Sequence, residues 1–177
     1  MDFPELFEYN RMVRSSYLDT VARLPWEEVV KNREASFHSI RNIFLHTLDV
    51  EERLIHYLIR DRIQEWVRRN FDEFDSISAI KSRMMRTDEE TARIIASLSS
   101  DDLTRIVVFP RRERPSVQMT VEDVLIQNLT EQLHHRGELI ALLWQMNIEP
   151  PEMQWTWYVE EANLGRTNLR KPLTAMK

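Results

Sequence analysis

Apolar residues recur at helical intervals along most of the chain. Leu6, Val13, Tyr17, Val21 and Leu24 form one stripe, which predicts a helix over about residues 4–24, with Pro4 suited to its first turn and Pro25 stopping it. Phe37, Ile40, Ile43, Val50, Leu54 and Tyr57 predict a second helix over roughly residues 32–60. The charged stretch DRIQEWVRRNFDEFD then reads as a connection with room for a short helix around Trp66. Ile77, Ile80, Met84, Thr91, Ile94 and Leu98 recur at bundle spacings and predict a third helix. Thr87 with Glu90 has the form of a capping box, which offers a restart of that helix near Asp88.

The period then changes. The β-branched run TRIVVF, residues 104–109, and its partner at residues 117–120 predict a hairpin across the turn PRRERPS. Thr120 followed by Val-Glu-Asp is a helix start with acids in the first turn, where the helix dipole favours them. This fourth helix is expected to run to about Met146, before Pro150 and Pro151 bar its continuation. Trp155, Trp157 and Tyr158 follow; packing onto the bundle is their default, and covering a pocket mouth or a subunit interface is the alternative. The polar TNLRKPLTAMK is expected to fray, with flexibility from about residue 162. Four long helices and a hairpin before the last predict an all-α four-helix bundle, one domain over residues 1–177.

Composition narrows the chemistry. A chain of 177 residues, 42% hydrophobic and 30% charged, suits one soluble domain with a single core. It has no cysteine, which excludes disulfides, thiolate ligands and a cysteine nucleophile, leaves any metal to nitrogen or oxygen donors, and fits a cytoplasmic protein. The start MDFPELFEYNRMVR lacks the basic end and apolar run of a signal peptide. The longest uninterrupted apolar run, residues 139–144, is far below the roughly 18 residues of a membrane span. A net charge of −5 argues against general nucleic-acid binding. The arginines of the hairpin turn (Arg111, Arg112, Arg114) and Arg60, Arg62, Arg68 and Arg69 are interspersed with acids and read as solvated.

The stretch TEQLHHRGELIALLWQ, residues 130–145, sets polar groups into an apolar helix. Val121, Leu125, Asn128, Glu131, His135, Leu139 and Leu142 share one face, and Glu131 and His135 stand one turn apart, a spacing that lets both reach one ion. On the second helix His46 interrupts the stripe of Ile43, Val50 and Leu54. If the helices pack, His46, Glu131 and His135 converge as two imidazoles and a carboxylate with open positions. A hydrogen-bonded core histidine and an acid–histidine pair account for the same spacing.

His134 lies about 100 degrees round the helix from His135 and is assigned to packing or solvent. Of the two glutamates only Glu131 receives a role. Gly137 reads equally as a close approach or as a tolerated glycine, and Asn128 equally as a polar wall or as a backbone-bonded residue. Asp49 could orient the His46 ring, although the expectation for Asp49 and Glu51 is solvation.

The whole pattern resembles the DinB family (DinB/YfiT-like proteins) over about residues 6–160. The likeness rests on the opening helix ending in Leu24-Pro25, on SIRNIFLHTLDVEERLI around one histidine, on the hairpin before the last helix, and on HHRGELIALL followed by the PP turn. It implies a four-helix bundle with a divalent metal held by one histidine on the second helix and an HxxxH pair on the fourth. Carried over, the ligands are His46, His135 and, where relatives have histidine, Glu131. A carboxylate is a competent ligand that offsets one unit of charge, so iron, manganese or nickel join zinc as expected metals.

Characterised relatives are thiol transferases whose metal activates a low-molecular-weight thiol such as bacillithiol or mycothiol. The resemblance therefore implies a homodimeric S-transferase acting on a small-molecule substrate; charge and apolar run length add the expectation of no nucleic-acid or membrane partner. Hydrolysis by metal-activated water would use the same groups. A non-enzymatic binding or dimerisation bundle is the third reading, favoured by the lack of an identifiable general base.

Overall fold

The structure, a computed structural model, describes the backbone of residues 2–111 and 113–167, with side chains up to residue 161. Helix α1 (Phe3–Val21) starts where the Asp2 carboxylate accepts the Glu5 amide, with Pro4 in the first turn. It buries Phe3, Phe7, Val13, Tyr17, Leu18 and Val21, whereas Leu6 and Leu24 are only half-buried. The short α2 (Trp26–Val30) was not predicted.

Helix α3 (Ile40–Glu51) begins well after residue 32. Glu34 and His38 adopt positive φ angles of 56° and 69°, which a helix cannot contain, and the Ser39 side chain caps the new start by accepting the Asn42 amide. The backbone then widens into a π-helical turn (Glu52–Tyr57), tightens into a 3-10 turn (Leu58–Arg60) and ends at Asp61, φ 58°. Two further 3-10 turns, Ile63–Glu65 and Phe71–Glu73, carry the connection; the first ends at Trp66, whose backbone is extended, so the short helix expected there is a single 3-10 turn just before it.

Helix α4 (Ile77–Ala96) passes through Thr87 without a restart. The Thr87 hydroxyl donates to Glu52 Oε1 at 2.8 Å, a tertiary bond that replaces the expected cap. Ser99 and Asp102 form a capping box for α5 (Ser100–Thr104), which removes Thr104 from the strand. Strands β1 (Ile106–Phe109) and β2 (Val117–Thr120) pair antiparallel, from Ile106 opposite Thr120 to Phe109 opposite Val117. A second capping box, Thr120 with Asp123, starts α6 (Val121–Gln145).

The aromatic tail becomes α7 (Trp155–Thr167). Tyr9 of α1 donates to the Met153 carbonyl at 2.7 Å and meets the Trp155 ring edge-on at 5.1 Å, so α7 packs on α1. Of the tail expected to be flexible from about residue 162, the backbone up to Thr167 is helical, and residues 168–177 lie outside the described residues.

These elements form the expected mostly helical bundle with one small hairpin. Its core is divided. One apolar cluster gathers Tyr17, Leu18, Leu45, Leu48, Met84 and Leu139; the other gathers Phe3, Phe7, Ile55, Ile95, Val124 and Leu125. Between them each long helix contributes buried polar groups: Arg14, Glu51, Thr91 and Gln132. Glu51 accepts from Arg14 Nη1 at 2.6 Å, Thr91 Oγ1 at 2.7 Å and Gln132 Nε2 at 3.3 Å, so it is a buried acceptor rather than a solvated acid. Arg14 also binds Asp88. Burial first, then the like charge of Glu51, pushes the Asp88 carboxyl up to about 6 against the pull of Arg14.

A candidate metal centre between α3 and α6

Helices α3 and α6 pack side by side, and their polar interruptions face each other. His46 Nε2 lies 3.3 Å from Glu131 Oε1, and His135 Nε2 lies 3.2 Å from the same oxygen. The three ligand atoms fall within 4.8 Å of one another, close enough to hold one metal ion. The set is graded in burial: the His135 side chain is 5% exposed, His46 17% and Glu131 28%. One edge therefore meets solvent, and the inner side is sealed by protein.

The turn before α3 closes the site from above. Phe37 stacks on the His46 ring at 3.7 Å and meets the His135 ring edge-on at 5.3 Å. Ser36 next to it donates from its hydroxyl to Glu138 Oε2 at 2.8 Å and from its amide to Oε1 at 3.2 Å. Glu138 in turn sits 2.5 Å from His135 Nδ1. Sequence reasoning passed over Glu138, yet its signal was present: a carboxylate three residues after a candidate ligand is near one turn on and can orient the ring. The positions of Phe37 and Ser36 had no local signal, because the helix expected there would have carried them elsewhere.

Asp49 does not orient His46. It is buried and pairs with Arg83 Nη2 at 2.5 Å, while Arg83 also holds Glu52 at 2.9 Å. Asn128 is fully buried, does not line the cleft beside the site, and among the described residues neither of its amide atoms has a partner. A Cβ added at Gly137 would meet nothing within 4 Å, so no close approach explains that glycine. His134 is exposed, with its ring 5.0 Å from that of His135. With His135 and Glu138 it makes a second grouping close enough for an ion, on the solvent side.

Electrostatics separate the two sides of the site. Burial lowers the pKa of His46, with neighbouring His135 and Arg68 adding to the effect and Glu131 opposing it, so the ring favours its neutral, ligand-competent form. Burial would raise Glu138, but bonds from Ser36 and His135 outweigh it and hold the carboxyl below its ordinary range.

His135 presents both ring nitrogens to carboxylate oxygens. A neutral imidazole has one N–H and can satisfy only one of them. With Nδ1–H donated to Glu138, Nε2 carries a lone pair facing Glu131 Oε1. A cation shared by these donors resolves that opposition, as does a proton on the ring, so the donor set fits a divalent ion.

Beside the three groups opens a cleft of about 440 Å³, bounded by His46 and Arg53 on one side, Gln127 and Glu131 on α6, and Phe109 and Met119 from the hairpin. Among the described residues no helix is long and apolar enough to cross a membrane.

Fold and site define a mostly helical bundle with a buried-edge His–Glu–His cluster that could hold a metal. The DinB family model matches residues 1–170, and the chain belongs to that family. It is 23% identical over 163 residues to the uncharacterized protein YizA of Bacillus subtilis strain 168, covering 92% of this chain and 94% of that protein. Among solved structures it is similar in fold to a DinB-like protein from Bacillus cereus ATCC 10987, with TM-score 0.67, 16% identity, and 86% of this chain and 95% of that chain covered. It is also similar to the DinB-like protein YjoA from Bacillus subtilis, with TM-score 0.65, 16% identity, and 87% and 98% covered.

Proposed function

We propose that this protein is a metal-dependent S-transferase that activates an external low-molecular-weight thiol for attack on a small electrophile. The observation that supports it most is the aim of His46 Nε2 and His135 Nε2 at one oxygen of Glu131, at the edge of an open cleft. In this reading His46, Glu131 and His135 hold a divalent ion, with zinc, nickel, iron and manganese all compatible with two imidazoles and a carboxylate. Bound there, the ion would supply Lewis acidity that lowers the pKa of a thiol or water at its open position.

The protein's own groups do the rest. Glu138 fixes the His135 tautomer, and Phe37 covers the His46 ring and excludes water from that side. With no cysteine in the chain, the thiolate has to arrive with the co-substrate.

Two measurements test this. Elemental analysis of protein purified without an affinity tag should find about one divalent ion per chain, lost in His46→Ala; no metal in the wild type, or none lost in the variant, removes the metalloenzyme reading. A screen of thiols against generic electrophiles should then show turnover that depends on both metal and thiol. Turnover of ester or amide substrates without any thiol would instead favour the hydrolase.

We also carry the homodimer as a proposal, since Leu133 and Trp144 on α6 are 55% and 57% exposed. Sedimentation analysis checks it.

A further inference from the structure

The cleft beside the candidate metal centre contains a cation that no carboxylate among the described residues neutralises. Arg53, on the π-helical turn after α3, donates from Nη2 to the Pro110 carbonyl at 3.2 Å. Its guanidinium lies 4.9 Å from the Phe109 ring centroid and 5.4 Å from that of Trp66. Among the described residues it has no acidic partner, in a chain where Arg14, Arg33, Arg41, Arg60, Arg62 and Arg83 all have one. Arg111 of the hairpin turn lines the same cleft and is likewise without one. The acid bordering the cleft, Glu131, is already engaged by the two histidines.

Aromatic rings on the guanidinium hold it in a fixed plane and leave donor groups for a ligand. Apart from His46, Gln127 and Glu131, the remaining lining, including Val50, Leu54 and Met119, is apolar. A cleft of about 440 Å³ has room for a small molecule with an apolar body.

We infer that this cleft binds a small organic anion, carrying a carboxylate or a phosphate on an apolar body, with Arg53 as the anion-binding group and Arg111 at the mouth. The anion would be anchored on the hairpin side while the rest of the molecule reaches toward His46 and Glu131. The inference rests on the proposed function in placing the reacting end there, but anion binding itself does not need the metal. Burial lowers the pKa of Arg53, the cost expected of a desolvated cation that awaits a counter-charge. A purely structural clamp between hairpin and π turn would account for the ring contacts and the Pro110 bond, yet would leave no preference for charged ligands.

The test uses the full chain stripped of metal with a chelator, so that a ligand cannot bind through the ion. Benzoate and phenyl phosphate are titrated by calorimetry against the neutral benzamide and benzyl alcohol. The expected result is anion binding at least about 10-fold tighter than neutral binding, as charge-assisted bonds to a guanidinium imply. Arg53→Met should lose about 10-fold for the anions and nothing for the neutral compounds.

Comparing benzoate with phenyl phosphate identifies the preferred head group. Since a variant could loosen the hairpin, phenylglyoxal labelling of the wild type is mapped by peptide mass spectrometry, with benzoate expected to slow modification of Arg53. Equal binding of anions and neutral compounds, or Arg53 labelling indifferent to benzoate, overturns the inference. Failure of the metal reading shows separately, as absent metal uptake with anion binding intact.

Discussion

His135 Nδ1 and Glu138 Oε2 are 2.5 Å apart, with Glu138 itself anchored by two bonds from Ser36. This pair sets the tautomer that leaves Nε2 free for a cation. Glu138→Gln should therefore keep the fold but weaken metal affinity by about 10- to 100-fold, the usual effect of losing a carboxylate that orients a ligating histidine. A chelator-competition titration measures it. Unchanged affinity would mean that the histidine needs no orienting partner.

If Glu131 is one of the ligands, as proposed, its substitution should shift metal preference. Glu131→His replaces a hard oxygen donor by imidazole, which suits zinc better than manganese. The ratio of zinc to manganese affinity should rise by about 10-fold or more. A ratio that does not move would remove Glu131 from the ligand set.

Asp88 gives a pH signature in the polar belt. Its folded pKa of about 6 lies above the ordinary 3.8, so between these values the folded protein binds more protons than the unfolded chain. The ionised carboxylate costs stability fully above about pH 6, and the cost is relieved as pH falls toward about 4. Wild type should thus gain on Asp88→Asn in urea midpoint from about pH 6.5 to about pH 4. A difference between the two proteins that is flat across that range would contradict the raised value.

Asn128 is completely buried, and among the described residues neither of its amide atoms has a partner. Leucine has a similar shape and no polar group to desolvate. Asn128→Leu should stabilise the protein by about 1–2 kcal/mol, read as a higher denaturant midpoint at unchanged slope. A drop in stability would show that the amide has an ordered partner.

Much of the fold was legible because it is local. The seams of α1, α4 and α6 follow helical periodicity, and the hairpin follows from a change of period between two turn signals. Residues 32–39 carry helical spacing without being helix, since Phe37 continues the apolar pattern while the left-handed backbone at Glu34 and His38 leaves no mark in it. The capping box read at Thr87 failed for a related reason. A threonine hydroxyl caps a helix or bonds across the core equally well, and Glu52 on another element took it.

The sequence by itself determined the course of the long helices α1, α4 and α6, where the strands pair, and which residue types were at hand for nitrogen and oxygen chemistry. Only the tertiary structure decided that His46 and Glu131, 85 residues apart, meet at 3.3 Å, that Glu138 rather than Asp49 backs a candidate ligand, and that Arg53 faces the cleft without a counter-charge among the described residues. Periodicity is a property of neighbours along one helix. The distances between side chains on different helices depend on how those helices pack, and that is decided by the whole core at once.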